Sequence, residues 1–416
     1  MSTASRLAER ARQAAGAPDG DAQRALLVHN CAAAMGEKAA AGRILTALAD
    51  DAGSGAVAYR LAAAMHARAQ DDFYPGGRMH VGAVVIPAVL AAEPDDMLPA
   101  LAAGYAVGTG VSRPYSAAAQ QRGFRPTGIF GPLAAAAASA VALDLDDEQL
   151  AHAISIATTG SAGTNQSWID GSDEWLVEVA AAARSGVDAA RLASAGVQGA
   201  AAAVDGGAGW AAAFFGDPQA QRLRNALDGE EDPAQRVAVK LYPISGIAQV
   251  PAHLAAEIGK ETGRALPDSV RVHMPPSEAA YPGTANRGQF VGSSDSLMSV
   301  ARCVALAYST GTVAHAALAA APSRAETAVM ERLELVPDAG LEETAAMVSV
   351  TVDGQEATRR QHAKQLLYPS WGQTRAEIHD IAARNDASAA ALRELAELVE
   401  AGPSARSILT LMGKQP

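Results

Sequence analysis

Asp71, Asp72 and His80 are the residues of this sequence best suited to proton transfer. They lie in MHARAQDDFYPGGRMHVGAVVIPAVLAAE (Met65–Glu93), where a helix runs into a loop and an apolar helix begins at His80-x-Gly82. The amides and dipole of a helix N-terminus favour an anion. A neutral imidazole there can act as a base, and the aspartates can orient it or share its proton. The alternative is structural: the aspartates cap a helix, and the histidine is a partly buried polar residue.

Arginines close to this stretch are candidates for binding a substrate carboxylate, because a guanidinium group binds carboxylates bidentately. Arg78 lies in the stretch itself, and Arg113 follows in the next predicted helix. Arg125 lies in RGFRPTGIFG (Arg122–Gly131), whose glycines allow close backbone approach. The alternative for this loop is an ordinary connection between helices with solvated arginines.

A polar loop, GSAGTNQSWIDGSD (Gly160–Asp173), supplies further candidates between two predicted helices. Its side chains can hydrogen-bond a substrate, and tryptophans in and after it would form an apolar wall. The candidates are Thr164, Asn165, Gln166, Trp168 and Trp175. A plain surface loop is the alternative. KLYPISGIAQ (240–249) is predicted to mark a junction between domains or the start of a helix.

The elements that position these residues are predicted to be mainly α-helical. Residues 1–258 are predicted to form a large helical domain and 259–387 a smaller α+β domain with a short antiparallel sheet. Residues 388–416 are predicted to form a C-terminal helix that returns to the helical domain. The sheet is indicated by alternating Val348, Val350 and Val352, followed by the hairpin signal Asp353-Gly354.

Three local signals predict where particular helices begin. Asp146 and Gln149 match a capping box. Pro132 fits the first turn of the preceding helix, because proline lacks the amide hydrogen that this position leaves unpaired. Asp386 is predicted to cap the C-terminal helix.

Composition excludes several classes of function. The chain has 416 residues, of which 49% are hydrophobic but only 4% aromatic, so a tightly packed alanine-rich interior is expected. The formal net charge of −12 argues against nucleic acid and, weakly, against anionic membranes. The scattered histidines, and the lack of a nucleotide-binding motif, indicate chemistry without a metal or cofactor. Two cysteines and no membrane-spanning segment indicate a cytoplasmic protein.

Five segments in order resemble the MmgE/PrpD family, which includes 2-methylcitrate dehydratase, cis-aconitate decarboxylase and iminodisuccinate epimerase. The segments are HARAQDDF…MHVGAVVIPAVLAAE, GYAVGTGVSR…RGFRPTGIFGPLAAAAA, AARSGVDAARLASAGVQG, KLYPISG and KQLLYPSWGQTRAEIHDIA. The resemblance implies a large helical domain, a smaller α+β domain and a homodimer. It also implies metal-independent proton abstraction beside a carboxylate of a small di- or tricarboxylate.

The sequence departs from the family's pattern at several acid–base positions, although His80 matches. The first aspartate of H-A-x-D-F-D-D falls on an alanine and the next threonine position on a phenylalanine. The histidine of R-F-H-P-T-G is an arginine, which cannot release a proton at neutral pH. The family's lysine falls near a tryptophan, and its histidine after Y-P falls near a glutamine. The residues at these positions are Ala69, Phe73, Arg125, Trp175 and Gln249.

These departures indicate a smaller or less charged substrate, because a buried carboxylate without a partner is costly. We expect a lyase of the dehydratase or decarboxylase type, or a single-base isomerase. His80 would be the main acid/base, assisted by Asp71 or Asp72. Substrate contacts are expected from Arg78, Arg113, Arg125, Thr164, Asn165, Gln166, Trp175, Lys240 and Gln249. The alternatives are an epimerase of a dicarboxylate or imino acid, and a catalytically silent relative that binds a metabolite or a partner protein.

Overall fold

A computed structural model describes residues 1–36, 41–228 and 236–413. The chain forms two compact units. The first comprises residues 1–164, 176–239 and 369–416, and the second comprises residues 165–175 and 240–368. The second unit therefore begins earlier in the chain than the predicted boundary after residue 258 and takes in a short segment, 165–175, from within the predicted helical domain.

Helices provide most of the secondary structure. As far as Leu227 they are α1 (Thr3–Gly16), α2 (Gly20–Met35), α3 (Gly42–Ala47), α4 (Ser54–His66), α5 (Gly82–Ala92), α6 (Leu98–Ser112), α7 (Ser116–Gln121), α8 (Pro126–Ala142), α9 (Asp147–Ala157), α10 (Ser167–Asp170), α11 (Glu174–Ser194), α12 (Trp210–Phe215) and α13 (Gln221–Leu227). After Leu227 they are α14 (Gln249–Glu261), α15 (Pro276–Ala279), α16 (Ser293–Met298), α17 (Val300–Thr310), α18 (His315–Ala319), α19 (Arg324–Glu331), α20 (Trp371–Ala376), α21 (Ile378–Arg384), α22 (Ala389–Ala401) and α23 (Ala405–Gly413).

The core of the first unit is built from α5, α6 and α8, which pack closely because small residues line their contacts. The five alanines of Ala134–Ala138 on α8 are fully buried. Gly104 of α6 leaves so little room that a Cβ atom there would lie 2.6 Å from Val85 of α5. This close packing fixes the direction of α5, whose first residue borders the candidate site.

The start of α8 differs from the prediction. The helix begins at Pro126, and Pro132 lies inside it rather than in its first turn. Proline has no amide hydrogen to donate to the carbonyl four residues earlier, that of Gly128. The Ala162 amide donates to that carbonyl instead, at 3.2 Å. A second such bond, from Arg125 to the Gly163 carbonyl at 3.1 Å, joins the same loop to the helix start.

The second unit contains a four-stranded sheet of β1 (Ser269–Met274), β2 (Leu333–Pro337), β3 (Ala345–Val352) and β4 (Gln355–His362), in the order β2-β1-β3-β4. The predicted hairpin is confirmed: β3 and β4 pair antiparallel, and Asp353 and Gly354 have φ values of 49° and 74°. The prediction that all strands of the sheet are antiparallel is wrong, because β1 and β2 are parallel. The helices α15 to α19 connect these two strands, which is the kind of long crossover that parallel pairing requires.

The C-terminal helices α20 to α23 belong to the first unit. The cap of α22 is Ser388, which accepts a hydrogen bond from the Ala391 amide, so the predicted cap at Asp386 is wrong. Asp386 has a φ of 52° and instead forms an ion pair with Arg68. The capping box of Asp146 and Gln149 on α9 is confirmed.

The mainly α-helical fold class with a small sheet-containing region is confirmed. Within residues 1–36, 41–228 and 236–413, no helix combines the length and apolar character needed to cross a membrane.

Candidate functional site

The loop from Ala67 to Val81 connects α4 to α5 and carries the predicted acid–base residues. The chain turns at Ala69, whose φ of 50° lies in the left-handed region. The backbone then pairs at Phe73 with Ala238 through two 2.8 Å hydrogen bonds. His66, the last residue of α4, faces back toward this loop, which brings it close to residues that follow it in the sequence.

Asp71 joins two histidines. One of its carboxylate oxygens, Oδ2, lies 2.9 Å from Nδ1 of His66 and 3.0 Å from Nδ1 of His80. The two imidazole rings meet edge to face, with their centroids 4.6 Å apart. Both Asp71 and His66 are buried, whereas the His80 side chain is 18% exposed. His80 is thus the member of this group that solvent reaches.

The tautomer of His66 follows from its two contacts. Arg125 Nη2 lies 2.8 Å from His66 Nε2, and a guanidinium group can only donate. His66 Nε2 is therefore the acceptor, and its Nδ1 carries the hydrogen that is donated to Asp71. Burial lowers the pKa of His66 to about 3, with the charges of His80 and Arg125 acting in the same direction and Asp71 opposing them. His66 is neutral at physiological pH.

The tautomer of His80 is fixed by the loop. Its Nδ1 hydrogen-bonds to the backbone carbonyl of Asp72 at 3.0 Å, and the same nitrogen lies 3.0 Å from Asp71 Oδ2. A carbonyl oxygen can only accept, so Nδ1 carries the hydrogen. The backbone amide of His80 donates to the Thr127 hydroxyl at 3.0 Å. With the hydrogen on Nδ1, the neutral ring has its basic lone pair on Nε2. This arrangement suits a general base that is oriented by a carboxylate.

Asp72 anchors the start of α5. Its carboxylate accepts hydrogen bonds from the Gly82 amide at 2.8 Å, from Asn30 Nδ2 at 2.9 Å and from the Tyr105 hydroxyl. A side chain at Gly82 would overlap Asp72 Oδ2, and its Cβ would lie 2.6 Å from the Tyr105 hydroxyl. Burial raises the pKa of Asp72 to about 6, although these hydrogen bonds lower it. The side chain is fully buried, so its contacts are those of a structural anchor.

Arg125 contacts two side chains of the first unit. It is 2% exposed and contacts His66 through Nη2 and Glu178 Oε2 through Nη1, the latter at 3.3 Å. Glu178, on α11, also accepts a hydrogen bond from the Thr164 amide at 2.7 Å. One guanidinium group therefore connects the loop of residues 161–164, through Glu178, to the histidine pair.

Of the two other predicted arginines in this unit, one contacts α7 and the other is exposed. Arg78 has a φ of 51° and donates from Nη1 to Gln120 Oε1 on α7. Arg113 is exposed at the start of the 3-10 helix Arg113–Tyr115. Thr164 is exposed as well.

The predicted site residues of the second unit have their own contacts there. Asn165 is buried and accepts a hydrogen bond from Tyr281, and exposed Gln166 donates to Asp170. Trp175 is buried, with its ring centroid 5.4 Å from that of Trp168. Lys240 is also buried.

Gln249 connects α14 to the segment before it. Its Oε1 accepts hydrogen bonds from the amides of Leu241 and Tyr242, at 3.0 and 3.1 Å. Its Nε2 donates to the carbonyls of Tyr242 and Ile244, at 2.9 and 3.2 Å. Because both ends of the fully buried amide contact the backbone, they fix the course of residues 241–244.

The histidine pair and Asp71 place three potential metal ligands within 4.8 Å of one another. His66 Nδ1 hydrogen-bonds to Asp71 Oδ2 at 2.9 Å, and His80 Nδ1 lies 3.0 Å from the same oxygen. A metal on Nδ1 of neutral His66 would require the ring hydrogen on Nε2, facing the Arg125 donor. The Arg125 contact therefore favours a hydrogen, rather than a metal, on Nδ1 of His66.

Comparison with protein families gives one match: residues 22–223 match the MmgE/PrpD N-terminal domain. This match supports membership in the MmgE/PrpD family. The matched range contains His66, Asp71, His80 and Arg125. The family is generally dehydratase- or lyase-like, which is consistent with an enzyme whose cluster suits acid–base chemistry. A search of curated proteins found no match to the chain.

Sequence reasoning missed four residues that contact the side chains of this site. His66 is the first residue of the segment HARAQDDF, and its place in the last turn of α4, five residues before Asp71, was the available signal. Asn30, Tyr105 and Glu178 lie far from the loop in sequence. Nothing in their local sequence marks them, and only the packing of α2, α6 and α11 reveals their contacts.

Proposed function

We propose that this protein is a cofactor-independent lyase of the dehydratase or decarboxylase type, or a single-base isomerase, acting on a small carboxylate-bearing metabolite. The observation that carries the proposal is the position of Asp71 Oδ2, within 3.0 Å of Nδ1 of both His66 and His80. It supports a role for His80 as a base held in one tautomer beside a fixed negative charge. Family membership supports the reaction class.

In the proposed reaction, Nε2 of His80 removes a proton from a carbon next to a carbonyl or carboxylate of the substrate. The ring then carries a positive charge, which the Asp71 carboxylate stabilises through the hydrogen on Nδ1. Asp71 remains ionised throughout. The carbanion-like intermediate then expels a hydroxide, which the imidazolium protonates to water, or takes the proton back at another carbon. In the decarboxylase form His80 begins as the imidazolium: the bond to the carboxylate breaks, carbon dioxide leaves, and Nε2 delivers its proton to the resulting carbanion.

A single base is favoured because the other titratable candidates have structural contacts. Arg125 cannot release a proton at neutral pH and contacts His66 and Glu178. Asp72 is fully buried against α5 and accepts hydrogen bonds from three groups. We therefore assign positioning roles to Arg125 and Asp72. An epimerase needs a second base on the opposite face of the substrate, so we favour the single-base reactions over epimerisation.

The remaining substrate contacts belong to the same proposal. In the first unit the candidates are Arg78, Arg113 and Thr164, of which Arg113 and Thr164 are exposed. In the second unit they are Asn165, Gln166, Trp175 and Lys240. Gln249 is assigned a positioning role, because its amide contacts the backbone of residues 241–244.

A homodimer and a cytoplasmic location are likewise proposed, and light scattering of the purified chain tests the dimer.

The test is incubation of the full chain in deuterated water with a panel of small acids, followed by proton NMR. The panel contains hydroxy-, unsaturated and amino di- and tricarboxylates, together with monocarboxylate analogues. Loss of water, loss of carbon dioxide or deuterium uptake with a shifted double bond supports the proposal and separates its forms. Deuterium uptake with inversion alone would establish the epimerase. Binding of a panel member without any of these changes would establish the silent relative.

A further inference from the structure

We propose that Arg68 and Gln70 are positioning residues. They hold the loop from Ala67 to Val81 against the turn of residues 384–386 in the C-terminal segment, so that this turn takes part in orienting His80. This inference rests on the proposed function, because it concerns the geometry of the Asp71–His80 pair. The Arg68 cluster is defined here as the side chains of Arg68, Gln70 and Asp386 together with the Arg384 carbonyl.

The contacts of the Arg68 cluster join segments that are more than 300 residues apart. Arg68 Nη2 donates to Asp386 Oδ2 at 2.8 Å, and Gln70 Nε2 donates to the Arg384 carbonyl at 3.0 Å. Arg68 Nε also donates to Gln70 Oε1 at 3.3 Å, so the two loop side chains support each other. Both are buried, at 1% and 2% exposure, whereas the Asp386 side chain is 62% exposed.

Neighbouring packing leaves little freedom at this junction. A Cβ atom at Gly36, at the end of α2, would overlap the Asn385 carbonyl and lie 3.0 Å from Arg68 Cδ. Between Arg68 and Gln70 the chain passes through Ala69 in the left-handed region, a conformation that a non-glycine residue adopts only when its surroundings hold it. The Arg68 cluster supplies contacts on both sides of that residue.

The consequence for His80 follows from where its acceptors lie. The two oxygens that lie 3.0 Å from His80 Nδ1 are the Asp72 carbonyl, which accepts its hydrogen bond, and Asp71 Oδ2, and both belong to the segment that immediately follows Gln70. The Asn30 and Gly82 contacts fix the far end of this segment at Asp72, and the Arg68 cluster fixes the near end. If the near end loosens, Asp71 moves relative to His80, and the preference for hydrogen on Nδ1 weakens.

The experiment measures the His80 tautomer by nitrogen NMR of the full chain labelled with ¹⁵N-histidine, with the His80 signals assigned from their loss in His80→Gln. We expect Nδ1-protonated His80 in the parent protein. Asp386→Gly removes the acceptor and tolerates the positive φ, and we expect a mixture of tautomers and a turnover lower by about tenfold to a hundredfold with KM unchanged. Asp386→Asn retains an acceptor oxygen and should restore most of the Nδ1 tautomer and most of the turnover. Arg68→Met should match Asp386→Gly.

Glu400→Gln is the matched control, because it removes a carboxylate from an exposed ion pair with Arg375 in the same C-terminal segment. It should leave the tautomer and the turnover unchanged. Asp71→Leu, which removes both carboxylate oxygens, separates this inference from the function on which it rests. If Asp71→Leu changes the tautomer and Asp386→Gly does not, the role of the Arg68 cluster is overturned. If Asp71→Leu also leaves the tautomer unchanged, Asp71 does not orient His80 and the proposed function itself fails. Asp386 is exposed, so its variants test the proposal even if Arg68→Met does not fold.

Discussion

Arg125 donates from Nη2 to Nε2 of His66 over 2.8 Å, and this contact sets the tautomer of His66. It makes Nε2 of His66 an acceptor, so Nδ1 donates to Asp71. The Asp71 oxygen that accepts from His66 also lies 3.0 Å from His80 Nδ1. Arg125, which does not lose its proton at neutral pH, thereby fixes the tautomer of His66 beside the proposed base.

The contacts of Arg125 predict how Arg125→Lys should behave. Lysine keeps the charge but lacks the planar fork, so it cannot contact both His66 and Glu178 as arginine does. We expect kcat to fall by about tenfold to a hundredfold while KM stays within about twofold. Steady-state kinetics on the compound identified by the panel checks this. Exposed Arg122→Lys is the control. A large rise in KM with unchanged kcat would instead make Arg125 a substrate anchor.

The anchoring of α5 predicts the effect of Gly82→Ala. The added methyl group would overlap Asp72 Oδ2 and crowd the Tyr105 hydroxyl. We expect a loss of about 1–3 kcal/mol in the free energy of unfolding, measured by urea denaturation. Gly16→Ala, in the last turn of α1, is the matched control because nothing lies within 4 Å of its Cβ position. Equal stabilities for the two variants would contradict the anchoring role of Asp72.

Buried histidines predict an acid-sensitive stability. Burial lowers the pKa of His29 to about 3, with the charge of Arg384 adding to the effect. The unfolded chain therefore takes up a proton near its ordinary pKa of about 6.5 while the folded protein does not, so stability is lost as the pH falls. Between about pH 7 and pH 5 we expect His29 to account for about 2 kcal/mol of that loss.

His29→Gln should reduce the difference in unfolding free energy between these two pH values by that amount, whereas exposed His379→Gln should not change it. Asp72 acts in the opposite sense: its pKa is raised to about 6, so the folded protein retains this proton to a higher pH than the unfolded chain. Its contribution to stability therefore decreases as the pH rises toward 6. Comparing each variant with the parent at the same pH cancels this contribution. An unchanged slope in His29→Gln would contradict the low pKa.

The contact between Arg125 and His66 also predicts the behaviour of the cluster toward metals. Cobalt(II) added to the parent protein should produce no visible absorption from a histidine–carboxylate complex, because the guanidinium group holds His66 Nε2 as an acceptor. In Arg125→Leu this restraint is absent, and the ligand atoms of His66, Asp71 and His80, which lie within 4.8 Å of one another in the parent protein, become available to the metal. We expect cobalt absorption to appear in that variant and to be lost again in Arg125→Leu/His80→Gln. Strong absorption in the parent protein would show that the cluster is a metal site.

Much of the fold was predictable from the sequence because its signals are local. The capping box at Asp146 and the turn at Asp353-Gly354 act over a few residues, and both are observed. The start of α8 was not predictable from the sequence, since Pro126 and Pro132 each fit the first turn of a helix. Pro132 can lie inside the helix because the Ala162 amide donates to the Gly128 carbonyl, and that contact comes from a distant part of the chain. The parallel pairing of β1 with β2 likewise depends on residues far apart in the chain.

The site was predictable only in part for the same reason. Asp71 and His80 share one loop, so their proximity was expected from their spacing. The role of Arg125 was expected to be substrate binding, and its contacts with His66 and Glu178 suggest positioning instead. The partner of a side chain depends on which helices pack together, and the sequence around Arg125 does not indicate that α11 packs beside it.

The central claim is that Asp71 orients His80 as the base, and it is tested most directly by the rate of proton exchange in deuterated water. The rates to compare are those of the parent, His80→Gln, Asp71→Asn and the exposed control His379→Gln on the compound identified by the panel. We expect the exchange rate of both site variants to fall by a factor of about 10² to 10⁴. Both variants should remain folded, and the control should exchange at the parent rate. Exchange at the parent rate in His80→Gln would contradict the account.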